Sequence, residues 1–320
     1  MKKISIIIPL YNLEGLIGKC IASALDQDLP PEEYEVIVVD DGSTDGSLAA
    51  AQRAARGHAN VQVHAKPNEG VSMARNYGTE RAAGRYVMYV DADDYLSPDV
   101  LGRLTQIMDR ERLDMLCFDM AGVDEHGGDL PLWSDGLFAR GGGEVQSGRD
   151  FLRRDCFLPM ACAYVYDRTM LERHGLGMLP MRHEDEEFTP RAIYFAKRIR
   201  YVPIRVYNYL QHNGSFMGSY DPKRRSDFVR AMKSLTDFAA RIEEGDPEGA
   251  RLMRLHVGKT MFFACKQTIL GRQGNAREML RDARQRGVMP LAFRKYNFRH
   301  FLINRAPALF VLYYRLHKRR

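Results

Sequence analysis

Short apolar runs that alternate with helix-like segments are the feature that most restricts the fold of this chain. The runs occupy residues 4–8, 36–39, 61–64 and 86–90, and the helix-like segments 13–25, 48–56 and 73–83 lie between them. Such runs are typical of buried strands, and strands that alternate with helices form mostly parallel sheets. The sequence therefore predicts an α/β fold in which helices flank a mostly parallel sheet.

Acidic residues follow two of these predicted strands. Asp40 and Asp41 end one strand, and the sequence Asp-Ala-Asp-Asp of residues 91–94 ends another. Ligands of open α/β sheets bind beyond the carboxyl ends of the strands. Carboxylates at this spacing, with no Cys or His beside them, suit Mg²⁺ or Mn²⁺. A solvated turn is the alternative for either cluster taken alone, because Asp is common after strands.

Two other nucleotide-binding folds lack their motifs in this chain. No G-x-x-x-x-G-K-[ST] sequence is present, which excludes a P-loop enzyme. No G-x-G-x-x-G sequence follows the first strand, which argues against a dinucleotide-binding Rossmann domain. The glycines at 141–143 lie in a region without that context.

Cysteine usage and the first residues predict a reducing compartment. The chain has five cysteines, an odd number, and none stands in a C-x-x-C pair. This pattern disfavours a disulfide framework and a zinc ribbon. Residues 1–3 run directly into the first predicted strand, and that apolar run is too short for a secretory signal. We therefore expect a cytoplasmic protein.

The pattern after residue 105 is less regular. Residues 119–149 are rich in Gly and Asp and predict a long loop or a short hairpin. Helices are predicted over 148–157, 169–174, 184–197 and 222–286, with a break near 245–247, and a strand over 201–209.

The C-terminal tail carries the positive charge of the chain. The net charge is +6, but residues 281–320 contain eleven Lys and Arg and one acid, so the remaining residues are net negative. A nucleic-acid-binding protein would need a basic face on its folded body, which this distribution disfavours. The tail is also aromatic, and its longest uncharged run, 306–314, is shorter than the roughly 20 residues of a spanning helix. A basic amphipathic helix at an anionic membrane surface is predicted, and a helix packed on the body is the alternative.

Motifs in a fixed order resemble those of the family 2 glycosyltransferases, which have the GT-A fold. They are SIIIPLYN at 5–12, Glu14, VDDGSTDGS at 39–47, NEG at 68–70, ARNYG at 74–78, AGRY at 83–86, VDADD at 90–94, HEDEEF at 183–188, and YNY at 207–209 followed by Gly214-Ser215. The resemblance covers residues 4–215. It implies a GT-A Rossmann-like domain over 1–215, with a nucleotide-sugar half at 1–105 and an acceptor half at 106–215. A helical extension over 216–290 and a basic aromatic tail over 291–320 complete the predicted organisation.

The resemblance also assigns roles to individual residues. Asp93 is the implied ligand of Mg²⁺ or Mn²⁺, and Asp185 is the implied general base, with Glu184 as the fallback. The residues implied in nucleotide-sugar binding are Pro9, Tyr11, Glu14, Asp41, Asn68, Arg75, Asn76, Asp91 and Ala92. The acids at 184–187 have a structural alternative, because acids in a first helical turn are stabilised by the helix dipole. His212 is a conceivable late metal ligand and more simply a surface residue.

The resemblance implies an inverting enzyme that transfers a sugar from a nucleotide-diphospho-sugar, by family habit a UDP-sugar, to an acceptor hydroxyl. Processive members share a Q-x-x-R-W motif and spanning helices that this sequence lacks, so one sugar is added per binding event. A glycan or lipid-linked acceptor of cell-surface polysaccharide synthesis, and a peripheral place at the inner face of the membrane, are expected. A non-catalytic sugar-nucleotide binder and a nucleotidyltransferase are the competing interpretations.

Overall fold

A computed structural model of the protein describes residues 2–132, 134–211, 222–271 and 275–317. The strands in these residues are β1 Ile4–Leu10, β2 Tyr34–Asp40, β3 Val61–Ala65, β4 Tyr86–Tyr89, β5 Tyr95–Leu96, β6 Met115–Val123, β7 Asp129–Leu130, β8 Tyr164–Asp167 and β9 Ile199–Leu210. The α-helices are α1 Ile17–Leu25, α2 Ser47–Ala54, α3 Val71–Arg81, α4 Leu101–Glu111, α5 Gly148–Arg154, α6 Arg168–Arg173, α7 Glu184–Phe195, α8 Pro222–Ile242, α9 Pro247–Gly271, α10 Ala276–Gln285, α11 Phe298–Arg305 and α12 Pro307–Leu316.

The strands form one sheet in the order β3-β2-β1-β4-β8-β6-β9-β5, with β7 beside β6. Neighbours are parallel from β3 through β4 and between β6 and β9. Strands β8, β5 and β7 join antiparallel. The predicted α/β fold with a mostly parallel sheet and flanking helices is confirmed.

The two strands with the clearest apolar runs are buried along their whole length. Every residue of β1 and β2 is buried, whereas β3 at the edge is only partly covered. Helices α1 and α3 bury Ile17, Ile21 and Ala74. A strand that is covered on both faces has no solvent-exposed side that needs polar residues. The sequences of these strands are therefore continuous apolar runs.

The middle of the sheet was only partly predicted. A hairpin does occur in the region 119–149, where Gly122 of β6 pairs with Leu130 of β7. The sequence did not predict that β6 begins at Met115, or that β8 exists. Strand β8 has four residues and lies between β4 and β6. A segment this short has too few alternations to give a periodic signal.

The chain divides into two compact units. The N-terminal unit comprises Met1–Pro180 and Arg191–Ser215 and contains the sheet, and the C-terminal unit comprises Met181–Pro190 and Phe216–Arg320. In the C-terminal unit α8, α9, α10 and α12 pack together.

The break predicted near residues 245–247 is present between α8 and α9. Pro247 is the first residue of α9, where its missing N–H costs nothing, and Asp246 Oδ1 accepts a hydrogen bond from Gly249 N (3.0 Å). Farther along α9, a Cβ added to Gly258 would lie 1.9 Å from Ala292 O, so the start of the tail packs directly on this helix. None of the described helices is both long and apolar enough to cross a membrane.

Candidate active site

The carboxyl ends of β1, β2 and β4 meet at one edge of the sheet. Strand β1 is parallel to both neighbours, with Leu10 opposite Asp40 and Ile7 opposite Tyr89. Pro9, a predicted nucleotide-site residue, is buried in β1 just before this edge. The two acidic clusters predicted from the sequence follow β2 and β4, so the topology brings them to the same edge.

Hydrogen bonds tie the loop after β1 to the loop after β2. Asn12 Oδ1 accepts a hydrogen bond from Thr44 N (2.8 Å), and Glu14 Oε2 accepts one from Gly46 N (3.1 Å). A Cβ added to Gly46 would lie 2.3 Å from the Glu14 carboxylate, so a larger residue there would displace this side chain. Tyr11 is 48% exposed beside these bonds. Of the two predicted residues here, Glu14 shapes the loop and Tyr11 offers an aromatic face.

Asp41 joins the loop after β2 to the loop after β3. Its buried carboxylate accepts hydrogen bonds from Lys66 Nζ (2.8 Å), Glu69 N (3.1 Å) and Gly70 N (2.7 Å). Asn68 Nδ2 donates to Asp41 O at 2.9 Å. Burial opposes the charged form of Lys66, but its bonds to Asp41 and Glu69 outweigh burial and raise the pKa of Lys66. The predicted pair Asp41 and Asn68 therefore lies together.

Helix α3 contributes the two other polar residues of the predicted site. Arg75, buried at 6% exposure, donates from Nη2 to Asp91 Oδ1 at 2.6 Å. Asn76 binds the backbone of Met178 twice, donating to the carbonyl oxygen (2.8 Å) and accepting from the amide (2.9 Å). Arg75 thus reaches the acidic cluster after β4, whereas the Asn76 side chain anchors the segment at Met178.

The turn after β4 is held by a tyrosine of β9. Tyr207 Oη donates to Asp94 Oδ2 (2.6 Å) and accepts a hydrogen bond from Asp91 N (3.1 Å). Leu210 N donates to the other oxygen of Asp94 at 2.8 Å. Asp94 and Ala92 are buried. The third acid of this cluster is therefore a structural residue of the turn.

Negative charge is concentrated at this turn. Burial raises the pKa of Asp94 well above its ordinary value, and the charges of Asp93 and Asp91 raise it further. The thiol of Cys20, which contacts Asp91 O at 3.5 Å, has its pKa raised by burial and then by the same three carboxylates. A cation bound beside Asp93 would offset this repulsion.

The donor set fits a cation that takes most of its ligands from a substrate. No group of three or more His, Cys, Asp or Glu side chains is placed to hold a metal ion by itself in the described ranges. Asp91 pairs with Arg75, Asp94 is buried in its turn, and Asp93 is half-buried. Mg²⁺ is commonly held by one or two carboxylates plus substrate phosphates and water. His212 lies outside the described residues.

Asp185 lies in the first turn of α7, within the C-terminal unit. Its Oδ1 accepts a hydrogen bond from Glu186 N at 2.8 Å. The neighbouring acids Glu184 and Glu187 are both buried, and Glu187 Oε1 accepts from Ser234 Oγ of α8 at 2.8 Å. Four consecutive acids in one helical turn thus have different surroundings.

Two residues beside Asp185 have shifted pKa values. Burial raises the pKa of Glu186 to about 7. His183 precedes the helix with a φ of 66°, and its ring packs against Phe228 at 5.3 Å. Burial and the charge of Arg224 lower the pKa of His183 to about 4, which keeps this ring neutral at pH 7. His183 is accordingly a packed loop residue.

Two residues that organise this site were not assigned by the sequence. Lys66 pairs with Asp41, and Tyr207 holds Asp91 and Asp94. The available signal for Tyr207 was its place in the YNY motif, and for Lys66 its place two residues before Asn68. Neither signal predicts which residue the side chain contacts, because each contact joins distant parts of the chain.

Tyr207→Phe is expected to destabilise the protein. The variant leaves the buried Asp94 carboxylate one donor short, which costs about 1–3 kcal/mol of unfolding free energy. Urea denaturation measures the effect. Tyr34→Phe is the matched control, because the hydroxyl that it removes donates to a neutral acceptor, Leu25 O (3.2 Å). If Tyr207→Phe loses no more unfolding free energy than the control does, Tyr207 does not hold the turn.

Comparisons with known proteins agree with this architecture. The family model described as "Glycosyl transferase family 2" matches residues 5–173. The glycosyltransferase YibD of Escherichia coli K12 is 32% identical over 224 residues, 67% of this chain and 62% of the relative. The poly(ribitol-phosphate) beta-glucosyltransferase of Bacillus spizizenii is 29% identical over 259 residues, 79% of this chain and 39% of that enzyme. The chain therefore spans less than two thirds of these relatives' lengths.

A solved structure extends the similarity in fold over nearly the whole chain. The crystal structure of Staphylococcus aureus TarS 1-349 in complex with UDP-GlcNAc superposes with a TM-score of 0.74 and 23% identity, covering 99% of this chain and 90% of that one. The GT-A fold with C-terminal helices, expected from the motifs, is thereby confirmed.

Proposed function

The chain belongs to glycosyl transferase family 2, and from that premise we propose that it transfers a sugar from a UDP-sugar to an acceptor hydroxyl, with inversion at the anomeric carbon. The observation that carries this proposal is the meeting of Asp41, Arg75, Asp91 and Asp93 at the carboxyl edge of parallel strands β1, β2 and β4. The UDP-GlcNAc bound by TarS supports the choice of donor.

Each side chain of the edge receives a part in donor binding. Tyr11 offers its exposed ring to the nucleotide, and the loops that carry Glu14 and Asp41 form the base and ribose pocket. Arg75 holds Asp91 in place beside the diphosphate, so the acid does not swing away. Mg²⁺ or Mn²⁺ held by Asp93 would neutralise charge on the leaving diphosphate.

Asp185 receives the part of the general base. An acceptor hydroxyl is a weak nucleophile at neutral pH, and a carboxylate that accepts its proton makes it stronger. Attack on the anomeric carbon from the side opposite the leaving UDP inverts its configuration. Two residues beside Asp185 are less suited, because Glu184 is buried and Glu187 already accepts from Ser234.

Free UDP distinguishes this function from its competitors. Incubation with a panel of UDP-sugars, Mn²⁺ and mixed glycan acceptors is expected to release UDP. A non-catalytic sugar-nucleotide binder would raise its melting temperature with the donor and release none. A nucleotidyltransferase would instead consume a nucleoside triphosphate and a sugar phosphate, and that result would overturn the proposal.

We place the enzyme in cell-surface polysaccharide synthesis, at the inner face of the membrane. The poly(ribitol-phosphate) glucosyltransferase relative supports the pathway. The surface of the C-terminal unit supports the location. Within the described part of the predicted tail, six large apolar side chains are 46–71% exposed, and we call them the tail face: Tyr296, Phe298, Phe301, Leu309, Leu312 and Leu316.

The tail face is the outer side of helices that are themselves packed. Phe310 and Tyr314 of α12 are buried against Phe262 of α9, with ring centroids 5.5 and 6.3 Å apart. Both sequence interpretations of the tail therefore have structural support, since one side packs on the unit and the other is apolar and exposed. Because removal of the tail would uncover Phe262, membrane binding is better tested by point substitutions.

Arg299, Arg305 and Arg315 are exposed around the tail face. Replacing all three with Gln is expected to weaken binding to phosphatidylglycerol vesicles about a hundredfold, because each basic residue near an anionic surface contributes about 1 kcal/mol. Vesicle co-sedimentation at low and high salt measures the effect, and salt should weaken wild-type binding.

The matched control replaces three exposed arginines of the N-terminal unit, Arg53, Arg56 and Arg103. This control should keep wild-type affinity for the vesicles. Equal binding by both triple variants would refute the membrane contact. A concentration-dependent dimer that is lost in Leu312→Gln would assign the tail face to a second copy of the chain instead.

A further inference from the structure

A groove of about 400 Å³ lies beside the second half of β6, within the N-terminal unit and outside the donor site. Pockets of roughly 300–1,000 Å³ are typical of small-molecule sites. We call it the β6 groove, and the residues used in the argument below are Asp119, Ser134, Asp135, Phe138, Tyr201 and Arg205.

Strand β9 bulges where it pairs with Asp119. The β9 partners of the three successive β6 residues centred on Asp119 lie three and then two positions apart, so the extra residues belong to β9. Such bulges re-aim a side chain of the bulged strand, often beside a functional site, and Arg205 of β9 lines this groove. Tyr201 Oη donates to Asp119 Oδ1 at 2.8 Å. In the described ranges no protein donor reaches the other oxygen, which leaves it for a ligand.

Ser134 gives a second, independent indication of a ligand. The residue is 8% exposed and lines the groove. Its hydroxyl has no hydrogen-bond partner among the residues that the structure describes. This hydroxyl is therefore available to a ligand in the groove, since it can both donate and accept a hydrogen bond.

The remaining walls are apolar on one side and charged at the rim. Phe138 is buried and stacks on Tyr201, with ring centroids 5.9 Å apart. The Arg205 side chain is 41% exposed, and its guanidinium donates to Asp129 Oδ1 (2.7 Å) and to Asn208 Oδ1 (2.9 Å). The Arg205 guanidinium is thus held in one orientation, and the carboxylate of Asp129 already neutralises its charge.

These groups suit a polyhydroxylated ligand without negative charge. Sugar hydroxyls can donate to carboxylates and accept from a guanidinium or a serine hydroxyl, and the CH face of a sugar can cover an apolar wall. Among the lining residues that the structure describes, Asp119 and Asp135 are carboxylates, and the one cation, Arg205, is paired with Asp129. A phosphate-rich glycan would therefore be repelled.

Topology places the groove on the acceptor side of the donor edge. Strands β4 and β6 run in the same direction with β8 between them, so the two strands lie about 10 Å apart, and β6 continues past the end of β4 through Asp119. Building on the proposed transferase function, we propose that the β6 groove binds a neutral sugar unit of the acceptor glycan. This specificity differs from that named for the relative that acts on poly(ribitol phosphate).

Saturation-transfer NMR tests the proposal without any need for turnover. The probes are the neutral trisaccharides cellotriose, maltotriose, mannotriose and chitotriose, and a ribitol-phosphate oligomer is the anionic probe. Binding of at least one neutral trisaccharide is expected, with none of the anionic probe. Ser134→Leu fills the groove and should weaken that binding at least about tenfold, because it removes a hydrogen bond and adds volume.

Asp119→Asn is the second variant, and it keeps the shape of the side chain. It should weaken trisaccharide binding about fivefold, because an amide nitrogen cannot accept from a sugar hydroxyl. Ala59→Leu, at an exposed turn before β3, is the control for added volume and should bind as wild type does. Melting curves verify that each variant is folded. If Ser134→Leu does not fold, the Asp119→Asn variant alone tests whether the β6 groove binds the trisaccharide.

The outcomes separate this inference from the proposed function. Neutral-sugar binding that both groove variants weaken supports the groove, whether or not UDP is released. Wild-type binding by both variants, preference for the ribitol-phosphate probe, or no binding of any trisaccharide would overturn it. UDP release that persists in those cases would leave the transferase function standing and the acceptor site elsewhere.

Discussion

Asp93→Ala is expected to lower UDP-sugar turnover at least about 100-fold, the usual cost of losing a group that stabilises charge on a leaving group. The physical reason is that the other two acids of the turn after β4, Asp91 and Asp94, are held by contacts of their own. Arg75 engages Asp91, and Tyr207 and Leu210 engage the buried Asp94. Neither acid can move to replace Asp93 without breaking those contacts. UDP release in the presence of Mn²⁺ or Mg²⁺ measures the effect.

Donor binding gives the same prediction a second readout. UDP with Mn²⁺ should raise the melting temperature of the wild type, since a ligand that binds only the native state stabilises it. Excess EDTA should reduce that shift, and Asp93→Ala should show the reduced shift with or without EDTA. Glu80→Ala, an exposed acid of α3, is the control and should behave as wild type. Full turnover in EDTA, or normal turnover by Asp93→Ala, would show that the reaction needs no metal at Asp93.

Asp185→Asn is expected to lower sugar transfer by roughly 10²–10⁴-fold, the contribution that a positioned general base makes. The amide keeps the shape of the carboxylate but cannot accept the acceptor proton. Donor affinity should stay within a few-fold of wild type, because the groups assigned to the donor lie at the edge formed by β1, β2 and β4. Single-turnover transfer and UDP-sugar titration separate the two quantities.

Its neighbours in α7 are the internal controls. Glu184→Gln and Glu186→Gln should each lose less transfer, because successive residues of a helix point in different directions. Glu186 has the sharper test, since burial raises its pKa to about 7. If Glu186 were the base, transfer would rise with pH through about 7 and Glu186→Gln would abolish that rise. A dead Glu186→Gln enzyme beside an active Asp185→Asn enzyme would move the role to Glu186.

The same raised pKa has a consequence for stability. A carboxyl whose pKa is higher in the folded state favours folding at low pH, and that contribution is lost as pH rises through about 7. Glu186→Gln should therefore melt at a higher temperature than wild type at pH 8, with little difference at pH 4. Scanning calorimetry at the two pH values gives this comparison.

Local patterns in the sequence predicted the elements that surround the donor edge. The buried strands β1, β2 and β4 could be predicted because a strand that is covered on both faces has a continuous apolar sequence. The break between helices before α9 could be predicted because Asp246 and Pro247 are residue types that favour the start of a helix. The motif order identified the family and the edge at which Asp41, Asp91 and Asp93 stand. Their roles, and that of Asp185, remain predictions.

The sequence by itself determined the α/β class, the family and the acids that follow β2 and β4, because these depend on residues close together in the chain. Only the tertiary structure decided that Tyr207 holds Asp94, that Lys66 pairs with Asp41, and that β8 enters between β4 and β6. The β6 groove also belongs to this second class, since its walls come from segments near residues 119, 134 and 201. The periodicity of apolar residues indicates which side of a helix or strand is buried. It does not indicate which distant residue packs against that side.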